Sequence, residues 1–406
     1  VTAPRRWLSI VGIGEDGLDG LSPAARRLIA QASLVVGGAR HLKLAGPIPA
    51  QTLIWPSPIE GALPEIMAHQ GQPVCVLASG DPFFYGVGGL LMRHIPPEEM
   101  ICLPAPSAFS LAASRLGWSL QDCVTISLHG RALEAVIPHL QPRARVLALS
   151  WDGETPAKLA KLLADRGMAR SKLVICEAMG GEKEKLRSVV AGEYAFDDIA
   201  ALNTIALEVV AERGACVIPR ASLPDVMFEH DGQITKREVR AMTLSALTPR
   251  RGELLWDIGA GSGSVAIEWM LRDPANLAVA IERNPERAAR IARNAAALGA
   301  PSLTIVEGAA PQALAGLPQP DAIFVGGGAS EGGLLDILFS ALAPGGRLVV
   351  NAVTLEGQVE LSNRFQRYGG DLVQASIARA DPVGRFHTWR PAMPVVQWTL
   401  EKPWPE

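Results

Sequence analysis

The chain has 406 residues, 48% of them hydrophobic and 19% charged, with a formal net charge of −3. That balance excludes a largely disordered chain and counts against a general polyanion binder, whose phosphate contacts need a concentrated basic face. The length exceeds what one core organises, so two or three domains are expected.

Cys75, Cys102, Cys123, Cys176 and Cys216 are odd in number and widely spaced, without Cys-x-x-Cys or Cys/His pairing. They read as buried, reduced thiols, and no protein-bound metal is expected. No apolar run approaches the ~18 residues that span a bilayer. The early run WLSIVGIG meets Glu15 and Asp16 instead of a cleavage site, so a cytoplasmic protein is expected.

From Trp7 to about Arg213, short apolar runs alternate with helical patterns: WLSIVGIG, SLVVGG, PVCVLASG, ICLPA, VTISLHG, RVLALS, KLVICEA and TIALEVVAE. These are strand candidates at α/β spacing. Between them SPAARRLIAQA and TPAKLAKLLADRG read as helices, with Ser22 and Thr155 as N-caps before Pro23 and Pro156. In LASGDPFFYGVGG a strand ends at Gly80, Asp81 caps the next segment and Pro82 fixes the turn. Residues 1–217 are taken as the first domain and the turn-rich stretch 218–232 as a linker.

The second domain, 233–406, opens with a helix from Thr235 to about Leu247, where Thr235 and Glu238 have capping-box spacing. Five strand candidates follow: ELLWDIG, LAVAIE, LTIVEG, DAIFVGG and GRLVVNAV. Asn284, Pro285 and Gly299 give clear limits to the helix NPERAARIARNAAALG. DLVQASIARA and PVVQWTL read as an antiparallel pair at one edge. The fold class is therefore α/β, with a Rossmann-like, doubly wound parallel sheet in this half. The two halves do not align as repeats.

In WDIGAGSGS the strand delivers Asp257, then Gly259, Ala260, Gly261, Ser262 and Gly263 at the mouth of a helix. A dinucleotide fingerprint needs glycine where Ser264 stands. The alternating glycines after an acid instead resemble the S-adenosylmethionine loop of class I methyltransferases. Glu282 closes the next strand, where a carboxylate accepts both ribose hydroxyls. GAAPQAL would put Ala309 and Ala310 beside the adenine or in a plain loop, Thr235 could reach the cofactor as well as cap its helix, and the glycines of VGGGAS suit a bulky planar substrate or a plain turn.

GDPFFYG, the early IVGIGEDG and PAPSAFSLAASRLG together resemble the tetrapyrrole methylase family of class III methyltransferases. The resemblance implies a two-subdomain fold with S-adenosylmethionine in the cleft between the subdomains. It also implies that Gly80, Asp81 and Pro82 lie in the cofactor loop, with Ser107 near the cofactor. Glu15 departs from the pattern, since family members often carry proline there. The second half, through ITKREVRAMTLSAL, DIGAGSG, AIERNPERA, EGAAP and VGGG, resembles the decarboxylating methyltransferases of the same pathway.

The fused whole is similar to the bifunctional C-methyltransferases of aerobic cobalamin biosynthesis. That implies a small-molecule tetrapyrrole substrate and S-adenosylmethionine in both halves. It further implies methylation at C5 by the first half and at C15 by the second, with loss of the C12 acetate carboxylate. A homo-oligomer is also implied. The substrate's carboxylates need cations, and the candidates are Arg237, Arg240, Arg385, His387 and Arg390, with Arg40, His41 and Lys43 in the first half. The rival reading, a nucleic-acid methyltransferase with an accessory recognition domain, is opposed by the negative charge and the 5% aromatic content.

Overall fold

In a computed structural model, residues 6–328 and 332–405 are described, and the chain divides into two units. Unit 1 comprises Val1–Leu133 and His139–Val217; unit 2 comprises Glu134–Pro138 and Ile218–Glu406.

Unit 1 holds two sheets. The first is built from β1 (Leu8–Ile13), β2 (Leu34–Gly37), β3 (Gln51–Ile54), β4 (Val74–Ser79) and β5 (Met100–Leu103), all parallel, in the order β3-β2-β4-β1-β5. Every residue of β1 is buried, which is why it reads as an unbroken apolar run and not as an alternating one. The second sheet uses β6 (Cys123–Ser127), β7 (Arg145–Leu149), β8 (Lys172–Glu177), β9 (Lys185–Val190) and β10 (Asn203–Glu208), in the order β6-β7-β10-β8-β9. Here only β6 and β7 are parallel. Helix Ala108–Leu116 packs Phe109, Ala112 and Ala113 against Leu147, Cys176 and Ala206 of this sheet.

All eight expected strands of this unit form. β3 and β9 escaped notice because both are edge strands with largely exposed residues, so neither carries an apolar run. Ser22 caps its helix, accepting the Ala25 amide at 3.2 Å. Thr155 does not cap: it is the first helical residue, after Glu154, and its hydroxyl accepts the amides of Trp151 and Asp152. Asp81 caps no helix either, and instead closes an Asx turn by accepting the Phe83 amide at 2.9 Å. All five cysteines are free, but only Cys75 and Cys176 are buried. Cys102 and Cys123 lie on edge strands and Cys216 in an irregular segment, where nothing covers them fully.

Unit 2 is one seven-stranded sheet in the order β13-β12-β11-β14-β15-β19-β16, with a separate two-stranded hairpin, β17-β18. Its strands are β11 (Leu254–Ile258), β12 (Leu277–Glu282), β13 (Thr304–Glu307), β14 (Ala322–Val325), β15 (Arg347–Ala352), β16 (Asp371–Ala375), β17 (Ala378–Val383), β18 (Phe386–Pro391) and β19 (Val395–Glu401). The first five are parallel, and β19 runs antiparallel between β15 and β16. DLVQASIARA is thus divided between β16 and β17, and the hairpin projects from the edge pair. Asn284 caps helix Pro285–Leu298 through the amides of Glu286 and Arg287.

The capping box at Thr235 does not form. The helix runs Arg237–Leu247 with Lys236 as its cap residue, and the Thr235 carbonyl is held by Arg240 at 2.6 Å. Stretch 218–232 is no slack tether: Ile218, Leu223 and Phe228 are buried, and the Leu223 amide donates to Glu268.

Candidate functional site

In unit 2 the chain leaves β11 toward β12 on one side, and β14 continues to β15 on the other. The gap beyond the carboxyl ends of β11 and β14 is therefore the switch point, where a doubly wound sheet leaves a crevice. A cavity of about 750 Å³ opens there, lined by Gly259, Ala260 and Gly261 after β11, Glu282 at the end of β12, Ala309 and Ala310 after β13, and Gly326 to Gly328 after β14. Its volume is that of a pocket for a sizeable ligand. Thr235 also lines it. Ala329 and Ser330 of VGGGAS lie outside the described residues.

Glu282 is 4% exposed. One carboxylate oxygen accepts the Gly261 amide and the other the Asn284 amide, each at 2.9 Å. Each oxygen retains a second lone pair for a ligand hydroxyl. Beneath the loop Asp257 is buried and accepts the Ala266 amide at 3.1 Å, which fixes the first turn of helix Ser264–Arg272. Burial, reinforced by the charge of Glu282 and opposed by the Ala266 amide, pushes the Asp257 carboxyl up to about 7.

Two residues expected at the cofactor do not reach the cavity. Ser262 is buried, and its carbonyl accepts from Asn294 at 2.9 Å. Gly263 is left-handed, and a Cβ there would lie 2.7 Å from Ile291. Both set the loop against helix Pro285–Leu298, so that of the loop only Gly259–Gly261 line the cavity.

The expected carboxylate binders fare worse. Arg240 is fully buried and does not line the cavity: it donates to Glu268 at 2.6 Å, to Asp225 at 3.2 Å and to the carbonyls of Leu223 and Thr235. Its guanidinium also stacks over Phe228. Arg237 is exposed and lies outside the cavity lining. Arg385, His387 and Arg390 lie on the exposed hairpin, where Arg385 covers Phe386 and Arg390 pairs with Asp381; none lines the cavity. The cations that do line it are Lys236, Arg283, Arg287 and Arg379. Arg283 adjoins Glu282 and Lys236 adjoins Thr235, and that adjacency was the sequence signal available for these two.

In unit 1 the carboxyl ends of β1, β4 and β5 converge. The Ala105 amide donates to the Gly80 carbonyl at 3.0 Å. A Cβ on Gly12 would run into that carbonyl, and one on Gly80 would lie 2.9 Å from the carbonyl of Pro106. The close approach brings Gly80, Asp81 and Pro82 beside Ser107, which caps helix Ala108–Leu116 through the Ser110 amide.

Next to this loop Arg40 pairs with Glu15 and donates to Ser79 at 2.7 Å. His41 Nδ1 accepts the Gly38 amide at 3.3 Å, and Nε2 lies 2.8 Å from the Ser79 hydroxyl and 3.1 Å from the Arg40 guanidinium. Burial, and then the charge of Arg40, pull the His41 imidazole down to about 4. Arg40 and His41 are thus committed to protein partners. Lys43 is exposed and not part of this group.

Residues 8–195 match the family model for tetrapyrrole (corrin/porphyrin) methylases, and residues 226–402 match that for the precorrin methyltransferase domain. The chain is 56% identical over 398 residues to a precorrin-6Y C(5,15)-methyltransferase (decarboxylating) of Sinorhizobium sp, covering 98% of this chain and 96% of the relative. Two shorter relatives come from Salmonella typhimurium. A cobalt-precorrin-7 C(5)-methyltransferase is 30% identical over 203 residues, 48% of this chain and 98% of that one. A cobalt-precorrin-6B C(15)-methyltransferase (decarboxylating) is 36% identical over 173 residues, 42% of this chain and 89% of that one. With more than half its residues shared along nearly its whole length, the chain belongs to the family of decarboxylating precorrin-6Y C(5,15)-methyltransferases.

Proposed function

We propose that this chain is a bifunctional S-adenosylmethionine-dependent C-methyltransferase that converts precorrin-6Y to precorrin-8. Residues 1–217 methylate C5; residues 233–406 methylate C15 and remove the C12 acetate carboxylate. The observation that carries this reading is the pairing of one full-length bifunctional relative with two half-length relatives, each named for one of the two reactions. In those relatives the C15 step is named on 6B and the C5 step on 7, and we read the same order here.

The unit 2 cavity fits the methyl donor. Gly259 and Gly261 leave space where side chains would stand, Glu282 keeps free acceptors for ribose hydroxyls, and Ala309 and Ala310 leave room for a flat base. The N-terminus of helix Ser264–Arg272 suits the donor's carboxylate. S-adenosylmethionine supplies a methyl group already activated on a sulfonium. The protein's task is then orientation of the two reactants, which is worth on the order of 7 kcal/mol or more. Ile258, Phe324 and Val353 give the cavity apolar wall, which favours a transfer in which charge is lost.

In the decarboxylation, the bond between the acetate methylene and its carboxylate breaks and the electron pair enters the conjugated ring. Carbon dioxide leaves, and a proton from water completes the methyl group. We propose a second donor site at Gly80, Asp81, Pro82 and Ser107 in unit 1. No helix among the described residues is long and apolar enough to cross a membrane, and a cytoplasmic location remains part of this proposal. Mass spectrometry of the precorrin-6Y product is the test: two methyl groups gained and one carbon dioxide lost are expected, and a product with a single methyl contradicts the reading.

A further inference from the structure

Arg379 on β17 and Glu238 in the first turn of helix Arg237–Leu247 form an ion pair, and both line the unit 2 cavity. Their side chains are 52% and 46% exposed. An ion pair so open to water contributes little to stability, in contrast to the buried clamp of Arg240. The other lining groups are unevenly charged. Besides Glu238, the lining carboxylate among the described residues is Glu282, against the four cations Lys236, Arg283, Arg287 and Arg379, of which Arg287 is held by Asp231. Lys236 and Arg283 have no carboxylate in ion-pair contact among the described residues. The cavity thus offers cations in excess, which suits a ligand with several carboxylates.

Glu238 is an anion in this setting. Hydrogen bonding to backbone at the helix start, then the charges of Arg379 and Arg237, hold its carboxyl below the usual range.

Resting on the function proposed above, we infer that Arg379 anchors a peripheral carboxylate of the tetrapyrrole, and that Glu238 holds the same guanidinium until that carboxylate displaces it. The anchored group is one that stays on the ring. An arginine on the departing acetate would stabilise the carboxylate itself and raise the barrier to losing it. Arg379 is therefore a specificity-determining residue, and Glu238 is its internal competitor.

The competitor relationship gives opposite signs where a strut gives equal ones. The test measures carbon dioxide release from precorrin-6Y by the full chain, with calorimetric binding of S-adenosylmethionine as the control for folding. Arg379→Met is expected to raise KM about tenfold with cofactor affinity changed less than about twofold, and Glu238→Gln to lower KM. The exchange of charges in Arg379→Glu with Glu238→Arg is expected to leave KM high. An unchanged KM in Arg379→Met, a raised KM in Glu238→Gln, or recovery in the exchanged pair would overturn the inference. Failure of the unaltered chain to release carbon dioxide would instead overturn the proposed function.

Discussion

The carboxylate of Glu282 accepts the backbone amide of Gly261 at 2.9 Å, so the acid that ends β12 is tied to the glycine loop that follows β11. A charged acceptor contributes about 1.5–3 kcal/mol per bond to a ligand hydroxyl. Glu282→Gln keeps the shape and removes the charge. It is expected to weaken S-adenosylmethionine at the unit 2 site by roughly tenfold to a hundredfold; equilibrium dialysis reads this, and unchanged affinity contradicts the role.

Asp257 gives the same loop a pH dependence. Its folded pKa of about 7 lies above its ordinary value of 3.8. The raised pKa means that its contribution to stability is complete below the ordinary value and is lost as pH rises through about 7. Asp257→Asn keeps an oxygen for the Ala266 amide and cannot ionise. Its thermal midpoint, relative to the unaltered protein, should rise from about pH 4 to about pH 7 and level off above that; a constant difference would show that Asp257 does not titrate there.

Arg240 belongs to stability and not to substrate binding. Arg240→Met leaves Glu268 buried without its partner, at a cost of about 3–5 kcal/mol. The unfolding midpoint of unit 2 should fall by roughly 10 °C, and adding Glu268→Gln should recover part of the loss. Calorimetric melting measures both. A normal melting curve for Arg240→Met, with a raised KM for precorrin-6Y, would return Arg240 to the substrate.

His41 is expected to be neutral throughout the physiological range. Its folded pKa of about 4 lies below the ordinary 6.5. The depressed pKa means that its contribution is present above the ordinary value and is lost as pH falls through about 4. Imidazole nuclear magnetic resonance should show a midpoint near 4. A midpoint above 6 would mean that the ring is not buried beside Arg40.

What the sequence made legible followed from local constraint. Buried parallel strands such as β1, β4 and β11 are continuous apolar runs, and a glycine loop followed by Glu282 has a spacing set by one crossover. What it hid depends on distant partners. Nothing near Arg240 shows that Glu268 and Asp225 enclose it, and nothing near Arg379 shows that a hairpin returns it to the cavity. Thr235 and Glu238 have capping-box spacing, yet Arg240 takes the Thr235 carbonyl and the helix starts two residues later. Thr155 lost its cap role for a similar reason, because its hydroxyl serves the turn before the helix.

We propose that one chain carries two separate methyl-donor sites, one at Gly80–Pro82 and one at Gly259–Gly261, in folds that do not align as repeats. Calorimetric titration of the full chain with S-adenosylmethionine tests it most directly. Two equivalents bound per chain are expected, with Glu282→Gln weakening one and leaving the other unchanged. A single equivalent, or the loss of all binding in Glu282→Gln, would contradict it.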